Sequence, residues 1–264
     1  MADAPYILSA KILEIGYNGK SITYPLNLSL QRGTLTALIG TNGCGKSTLI
    51  RTLSGLQKPL KGKVVVKNDN VASLSGNRRA RLISHVLTDS QYLRSIKVRD
   101  LVGMGRFPYT NFMGTLTPKD REVVEQSMLQ VNVAHKADQP LYMLSDGERQ
   151  RTMIAKALAQ DTPIIFLDEP TSFLDMRNKI DILCLLHKLA SERDKTILLS
   201  THDIDIALQV ADSIWLMESG KRIITGSPEE LVTSGKIAES FHSDAFFFNP
   251  DTRSFKVCSP LLRL

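Results

Sequence analysis

Apolar and polar positions change rhythm several times along this chain, and each rhythm predicts an element. Leu26, Leu28 and Leu30 alternate with Asn27, Ser29 and Gln31, the period-two pattern of a half-buried strand. That strand is expected over residues 22–30, with another over 7–15 and a turn, Gly16-Tyr17-Asn18-Gly19, leaving Tyr17 exposed at its tip between them. Residues 35–39 and 164–167 are apolar without alternation, as in strands covered on both faces. Residues 196–200 read the same way through Ile197, Leu198 and Leu199. Residues 62–66 and 82–87 supply two further strands, and 213–217 with 222–225 form a hairpin around Ser219-Gly220.

Helical spacing fills most of the intervals. Helices are predicted over residues 49–56, 99–104, 149–159 and 176–192, and another starts at Thr117, a cap followed by Pro118 in the first turn. Val123, Val124, Met128 and Leu129 mark its apolar side, and Ser227-Pro228-Glu229-Glu230 starts a short helix with an S-x-x-E box. Residues 106–109 read as a loop, and the tail beyond Phe246 as aromatic, then irregular. Strands alternating with helices indicate an α/β fold with a mostly parallel, doubly wound sheet. No strand pattern interrupts residues 99–144, which read as a helical insertion. The division is thus a core of residues 1–98 and 145–245, a helical part of 99–144 and a tail of 246–264.

Composition narrows this picture. Of the 264 residues 42% are hydrophobic, ample for a core, yet no stretch approaches the roughly 20 uninterrupted apolar residues of a membrane span. Residues 1–10 carry Asp3 and Pro5 and lack the apolar centre of a secretory leader, so the chain is expected to be soluble. Cys44, Cys184 and Cys258 stand far apart with no metal or redox spacing, which suggests reduced thiols. Net charge is +6, compatible with an anionic partner, but the only cluster is Arg78, Arg79 and Arg81, more typical of a solvated helix face. No nucleic acid is expected as a partner.

Gly40-Thr41-Asn42-Gly43-Cys44-Gly45-Lys46-Ser47-Thr48 fits the G-x-x-x-x-G-K-[ST] phosphate-loop pattern, between a predicted strand and a predicted helix. The glycines let successive amides converge on anionic oxygens, the helix terminus adds partial positive charge, and Lys46 adds a full one. Ser47 is placed to reach Mg²⁺, and Thr48 the α-phosphate side. A thiol at Cys44, near that terminus and Lys46, is expected to have a lowered pKa and to be alkylated unless ATP protects it. Asp168 and Glu169 end a buried strand, at the sheet edge where open parallel sheets bind ligands. His202 directly follows another.

Taken with three further segments, these residues resemble the ATP-binding-cassette family over about residues 7–241. Leu144-Ser145-Asp146-Gly147-Glu148-Arg149-Gln150-Arg151 is similar to its L-S-G-G-Q signature, residues 164–169 to its Walker B strand, and Ser172-Phe173-Leu174-Asp175 to its D-loop. His202 falls at its switch histidine. The resemblance implies an ABC-type nucleotide-binding domain with a phosphate-loop core sheet, an antiparallel β subdomain and a helical subdomain. It implies ATP and Mg²⁺ as cofactors, with Ser47 and Asp168 on the metal, Glu169 as general base, His202 on the γ-phosphate and Tyr17 stacked on adenine. Ser145, Gly147, Glu148 and Asp175 belong to the signature and D-loop surface, and Ser145 and Gly147 are implied to contact ATP held by a second copy. A glutamine of the family that contacts Mg²⁺ is replaced in strict alignment by Thr88, with Asp89 and Gln91 as alternatives.

Arg99-Asp100-Leu101-Val102-Gly103-Met104-Gly105-Arg106-Phe107-Pro108-Tyr109 is similar to a segment of cassettes that power import of iron-siderophore, haem or vitamin B12. That subgroup implies a peripheral ATPase on the cytoplasmic face of the inner membrane. Its partners would be a second copy, two permease subunits and, indirectly, a substrate-binding protein. The alternatives are a soluble cassette of the iron–sulfur assembly type and the ATPase subunit of an exporter.

Overall fold

The computed structural model describes residues 6–86, 95–218, 220 and 222–258. Thr88, Asp89 and Gln91 lie outside them. The chain opens with β1 (Tyr6–Glu14), a two-residue ladder of β2 (Gly16–Tyr17) and β3 (Lys20–Ser21), and β4 (Leu26–Gln31). β5 (Leu35–Gly40) leads through the glycine-rich loop into α1 (Lys46–Leu53), and β6 (Lys61–Val66), β7 (Asp69–Asn70), α2 (Gly76–Ala80) and β8 (Ile83–Val86) follow. Next come α3 (Val98–Gly103), α4 (Pro118–Gln130) and α5 (Asp146–Ala159). After them stand β9 (Ile164–Asp168), α6 (Met176–Arg193), β10 (Thr196–Ser200), α7 (Ile204–Val210), β11 (Ser213–Met217) and β12 (Ile223–Gly226). The described part closes with α8 (Pro228–Thr233), α9 (Lys236–Ser240), β13 (Phe246–Asn249) and β14 (Ser254–Val257).

Two sheets make the frame. One has the order β12-β11-β5-β10-β9-β8, parallel except for β12; the other, β4-β1-β6-β7, is antiparallel. Successive residues of the parallel strands feed two different cores. Ile165, Leu167, Ile197 and Leu199 pack with Leu101, Val124, Ile154 and Ile182 from the helices on one face. Phe166, Leu198 and Trp215 pack with Leu49 and Leu53 of α1 and with Leu8 and Leu28 of the antiparallel sheet on the other. Burial on both faces explains why these strands read as unbroken apolar runs.

Five local readings change. Residues 22–25 are not strand: the chain bends there before Pro25, and β4 starts at Leu26. Tyr17 lies in the short β2 rather than at the turn tip, which is formed by Asn18 and Gly19. Residues 104–109 are a 3₁₀ helix rather than a loop, since buried Arg106 reaches Asp120 at 2.9 Å and the carbonyl of Ala159 at 2.8 Å and winds the segment onto α4 and α5. The tail is not irregular: β13 and β14 pair antiparallel, and Phe241, Phe246 and Phe248 meet Phe255 edge-on. Its aromatic residues join the core beneath the parallel sheet: Phe248 is buried in it, with Phe241 and Phe255 packed against it. On α4, Val124 and Met128 are buried, but Leu129 points outward at 53% exposure.

Candidate functional site

The parallel sheet brings three C-terminal strand ends side by side. β5 ends at Gly40, β9 at Asp168 and β10 at Ser200, with Asp168 and Ser200 in register. Gly40 enters the glycine-rich loop at a φ of 157°, and a Cβ there would lie 2.2 Å from the carbonyl oxygen of Met217. The loop and β11 are therefore in contact through bare backbone. Thr41, Asn42 and Gly43 are exposed, whereas Cys44 is buried. Gly45, in the left-handed region, precedes α1 and offers no side-chain cap, so the first amides of the helix face the loop's concavity. Lys46 is 6% exposed, and its Nζ donates to the carbonyls of Gly40 at 3.0 Å and Thr41 at 3.3 Å. Ser47 is half-buried beside it, and the hydroxyl of Thr48 lies 3.0 Å from that of Tyr17, whose ring is 49% exposed.

Cys44 departs from expectation. Burial pushes its thiol pKa up, and the nearby Lys46 charge only partly offsets this. The thiol is 2% exposed, so a low-pKa, readily alkylated cysteine is not what the loop contains.

The carboxylates are held by residues from neighbouring strands and loops. Ser200 Oγ donates to Asp168 Oδ1 at 2.6 Å and accepts the amide of Glu169 at 2.9 Å. Glu169 itself has a φ of 51°, a left-handed conformation uncommon for a residue with a side chain. This turn aims its carboxylate at two partners: Oε1 lies 2.6 Å from His202 Nε2, and Oε2 accepts from Ser172 Oγ at 3.0 Å. The Glu169 and His202 side chains are 34% and 40% exposed, so the pair opens to solvent.

The segment around Ser145 lies at the start of α5. Ser145 caps the helix, and the Glu148 carboxylate turns back to the Ser145 amide at 3.0 Å and to Lys136 at 3.4 Å. The Ser145 amide holds the Glu148 carboxyl below the usual carboxylate range. Gly147 has no room for a side chain: a Cβ would lie 2.6 Å from Asn178 Oδ1. Asn178 is fixed in turn by Asp175, which caps α6 through the Asn178 amide at 2.9 Å and accepts its side chain at 2.7 Å. The same amide bond lowers the Asp175 pKa. Ser145 and Asp175, both exposed, are thus linked through Asn178 and the buried Gly147 beneath it.

Ser200 and Asn178 escape a sequence reading, and Ser172 enters it only as part of the D-loop segment, without its bond to Glu169. Ser200 gives one weak signal, a hydroxyl closing an apolar run, and Asn178 gives none.

Residues 24–172 match the family model described as ABC transporter. The chain belongs to the ABC transporter family. Among curated relatives, this cassette is 34% identical over 251 residues to the iron(3+)-hydroxamate import ATP-binding protein FhuC of Bacillus subtilis, covering 95% of this chain and 93% of the relative. It is 36% identical over 234 residues to the ferric enterobactin transport ATP-binding protein FepC of Escherichia coli, covering 89% and 86%. Among solved structures, a transporter described as of metal-chelate type, in an inward-facing conformation, superposes with a TM-score of 0.81 at 29% identity, covering 97% and 99%. A dimeric ATP-binding cassette bound to ADP and phosphate superposes at 0.71 with 26% identity, covering 84% and 98%. As a member of the family the chain is a nucleotide-binding ATPase. Among its described residues no helix is long and apolar enough to cross a membrane.

Proposed function

We propose that this cassette is the ATP-hydrolysing subunit of a bacterial importer of metal chelates, such as iron-siderophore, haem or vitamin B12. The names of its relatives and the 99–109 segment support this cargo class over the assembly and exporter alternatives. It would act as a pair of identical copies, peripheral to the cytoplasmic face of the inner membrane, docked on two permease subunits and fed by a substrate-binding protein. The core, helical part and tail keep the boundaries 1–98 with 145–245, 99–144 and 246–264.

One observation carries the catalytic reading: both oxygens of Glu169 are held, by His202 and Ser172, at the sheet edge that also carries the phosphate loop. In this reading Tyr17 stacks on adenine, its ring steadied through Thr48. Gly40, Thr41, Asn42, Gly43, Cys44 and Gly45 wrap the phosphates with backbone amides. Lys46 exchanges its two loop carbonyls for phosphate oxygens. Glu169 takes a proton from the attacking water as general base, and His202 contacts the γ-phosphate. Ser145, Gly147, Glu148 and Asp175 form the face that closes over the other copy's nucleotide.

The residues present fit Mg²⁺, because Ser47 and Asp168 offer two hard oxygen donors beside the phosphate loop. Such a set leaves the remaining positions to water and phosphate, as this ion prefers. When bound, Mg²⁺ supplies neutralisation of phosphate charge.

Two substitutions test the site. Glu169→Gln should lower kcat by at least about 100-fold while leaving ATP affinity within about threefold, since only the proton acceptor is lost. Lys46→Ala should instead weaken ATP binding by more than about tenfold. Wild-type turnover by Glu169→Gln would remove the general-base assignment. Recovery of the tagged chain with soluble scaffold proteins rather than integral-membrane permease subunits would remove the importer assignment.

A further inference from the structure

Asp203 stands directly before α7, where an aspartate ordinarily accepts hydrogen bonds from the first helix amides. It makes no such bond. Its carboxylate turns to another loop: Oδ2 accepts from Thr171 Oγ1 at 2.8 Å, and Oδ1 from Lys179 Nζ at 2.6 Å. Its own amide donates to Thr201 Oγ1 at 3.0 Å, which fixes the turn. Thr171 is buried, and the side chains of Lys179 and Asp203 are only 24% and 22% exposed. Water therefore screens this ion pair less than an open surface pair.

The placement gives these bonds a consequence. Asp203 is covalently next to His202, while Thr171 is next to Ser172, and both His202 and Ser172 hold Glu169. Lys179 sits near the start of α6, whose cap is Asp175. The loop after β9 and the loop after β10 are thus tied twice. Glu169 reaches across from the first to His202, and Asp203 reaches back from the second to Thr171 and Lys179. A carboxylate that forgoes its helix cap to span two catalytic loops has its strongest partners outside its own element.

We infer that Asp203, through Thr171 and Lys179, is a positioning residue for ATP hydrolysis, holding the His202 loop in register with residues 169–175. The inference rests on the site reading above. Breaking the tie leaves residues 40–48 and their affinity for nucleotide untouched, and it lets His202 and Glu169 drift from the geometry that hydrolysis needs. Small displacements of that kind are costly in rate.

The test uses the full chain with Lys179→Met, Lys179→Arg, Asp203→Asn and the Lys179→Met/Asp203→Asn double variant, with Glu169→Gln as reference. Expected are a drop in kcat of about tenfold or more for Lys179→Met and Asp203→Asn, and an ATP dissociation constant within about twofold of wild type. Lys179→Arg should keep most of the rate. The double variant should be no slower than Asp203→Asn alone, because both substitutions cut the same tie. Wild-type kcat in Lys179→Met and Asp203→Asn, with Glu169→Gln inactive, overturns the inference alone. So do parallel losses of kcat, nucleotide affinity and melting temperature with additive effects in the double variant, the signature of a merely structural contact. Wild-type turnover by Glu169→Gln overturns the site reading and this inference with it.

Discussion

His85 shows how far a single residue can depart from its surroundings. It lies on β8 with its ring edge-on to Phe166, centroids 5.6 Å apart, and neither ring nitrogen has a hydrogen-bond partner among the described residues. Burial disfavours the imidazolium and lowers its pKa from 6.5 to about 4, with the Asp168 charge pulling the other way. The unfolded chain therefore binds more protons than the folded one between those values. Stability tied to His85 is complete above about pH 6.5 and is lost as pH falls toward 4, by at most roughly 3 kcal/mol. His85→Leu should remove this component. Urea midpoints at pH 8 and pH 5 should fall less on acidification in the variant than in wild type, and an equal fall would show that another group controls the acid side. At this scale the sequence is informative where chemistry is local. The phosphate loop, Asp168, Glu169 and His202 stand out by type and by neighbours. Ser200 does not, because its partner lies 32 residues away and becomes adjacent only when β9 and β10 pair. Cys44 misleads for a related reason: its neighbours along the chain suggest a low pKa, whereas the packing that raises it comes from distant strands.

Elements whose signals are short-range follow from sequence readily. Thr117 and Ser227 cap α4 and α8 with reciprocal bonds from Asp120 and Glu230, and each start is legible as a cap followed by proline. The 104–109 segment is not, because a proline and a glycine read as loop while its winding is fixed by a buried ion pair. Arg106 and Asp120 are both nearly buried, Arg106 also donates to Ala159, and its guanidinium stacks 4.0 Å over the Tyr109 ring. Arg81 lies 4.9 Å from the same ring and donates to the Pro108 carbonyl, tying the segment to the region after α2. Asp120→Ala should be severely destabilising, by about 3–5 kcal/mol, since it strands the Arg106 charge and removes the reciprocal cap bond. Asp120→Asn keeps one acceptor oxygen, for Arg106 or for the Thr117 amide but not for both, and should cost less than Asp120→Ala. Equal losses in the two variants under urea denaturation would mean that the carboxylate charge, absent from both, accounts for the whole loss and the retained acceptor for none.

At the scale of the molecule, the alternation of strands and helices makes the parallel sheet legible, but not its order. That order depends on which helix crosses to which face, and both cores look alike in a one-dimensional apolar pattern. The order places the Ser145 and Asp175 surface on the α5–α6 side and Glu169 with His202 at the strand ends of the same chain. If two copies complete each other's sites, each site takes its phosphate loop from one copy and its Ser145 surface from the other. Lys46→Ala removes the first contribution. Ser145→Asp removes the second while an aspartate still caps α5, because it sets a negative charge against the incoming triphosphate. Each variant alone should be nearly inactive. When equal amounts are mixed and allowed to exchange, about half of the dimers are mixed, and each mixed dimer has one wholly intact site and one doubly damaged site. Roughly a quarter of the wild-type rate should return if the sites act independently. A mixture no more active than its separate components would show either that both sites must fire together or that each copy is self-contained. Ser145→Asp alone then separates these, because a self-contained copy with that substitution would hydrolyse ATP at the wild-type rate.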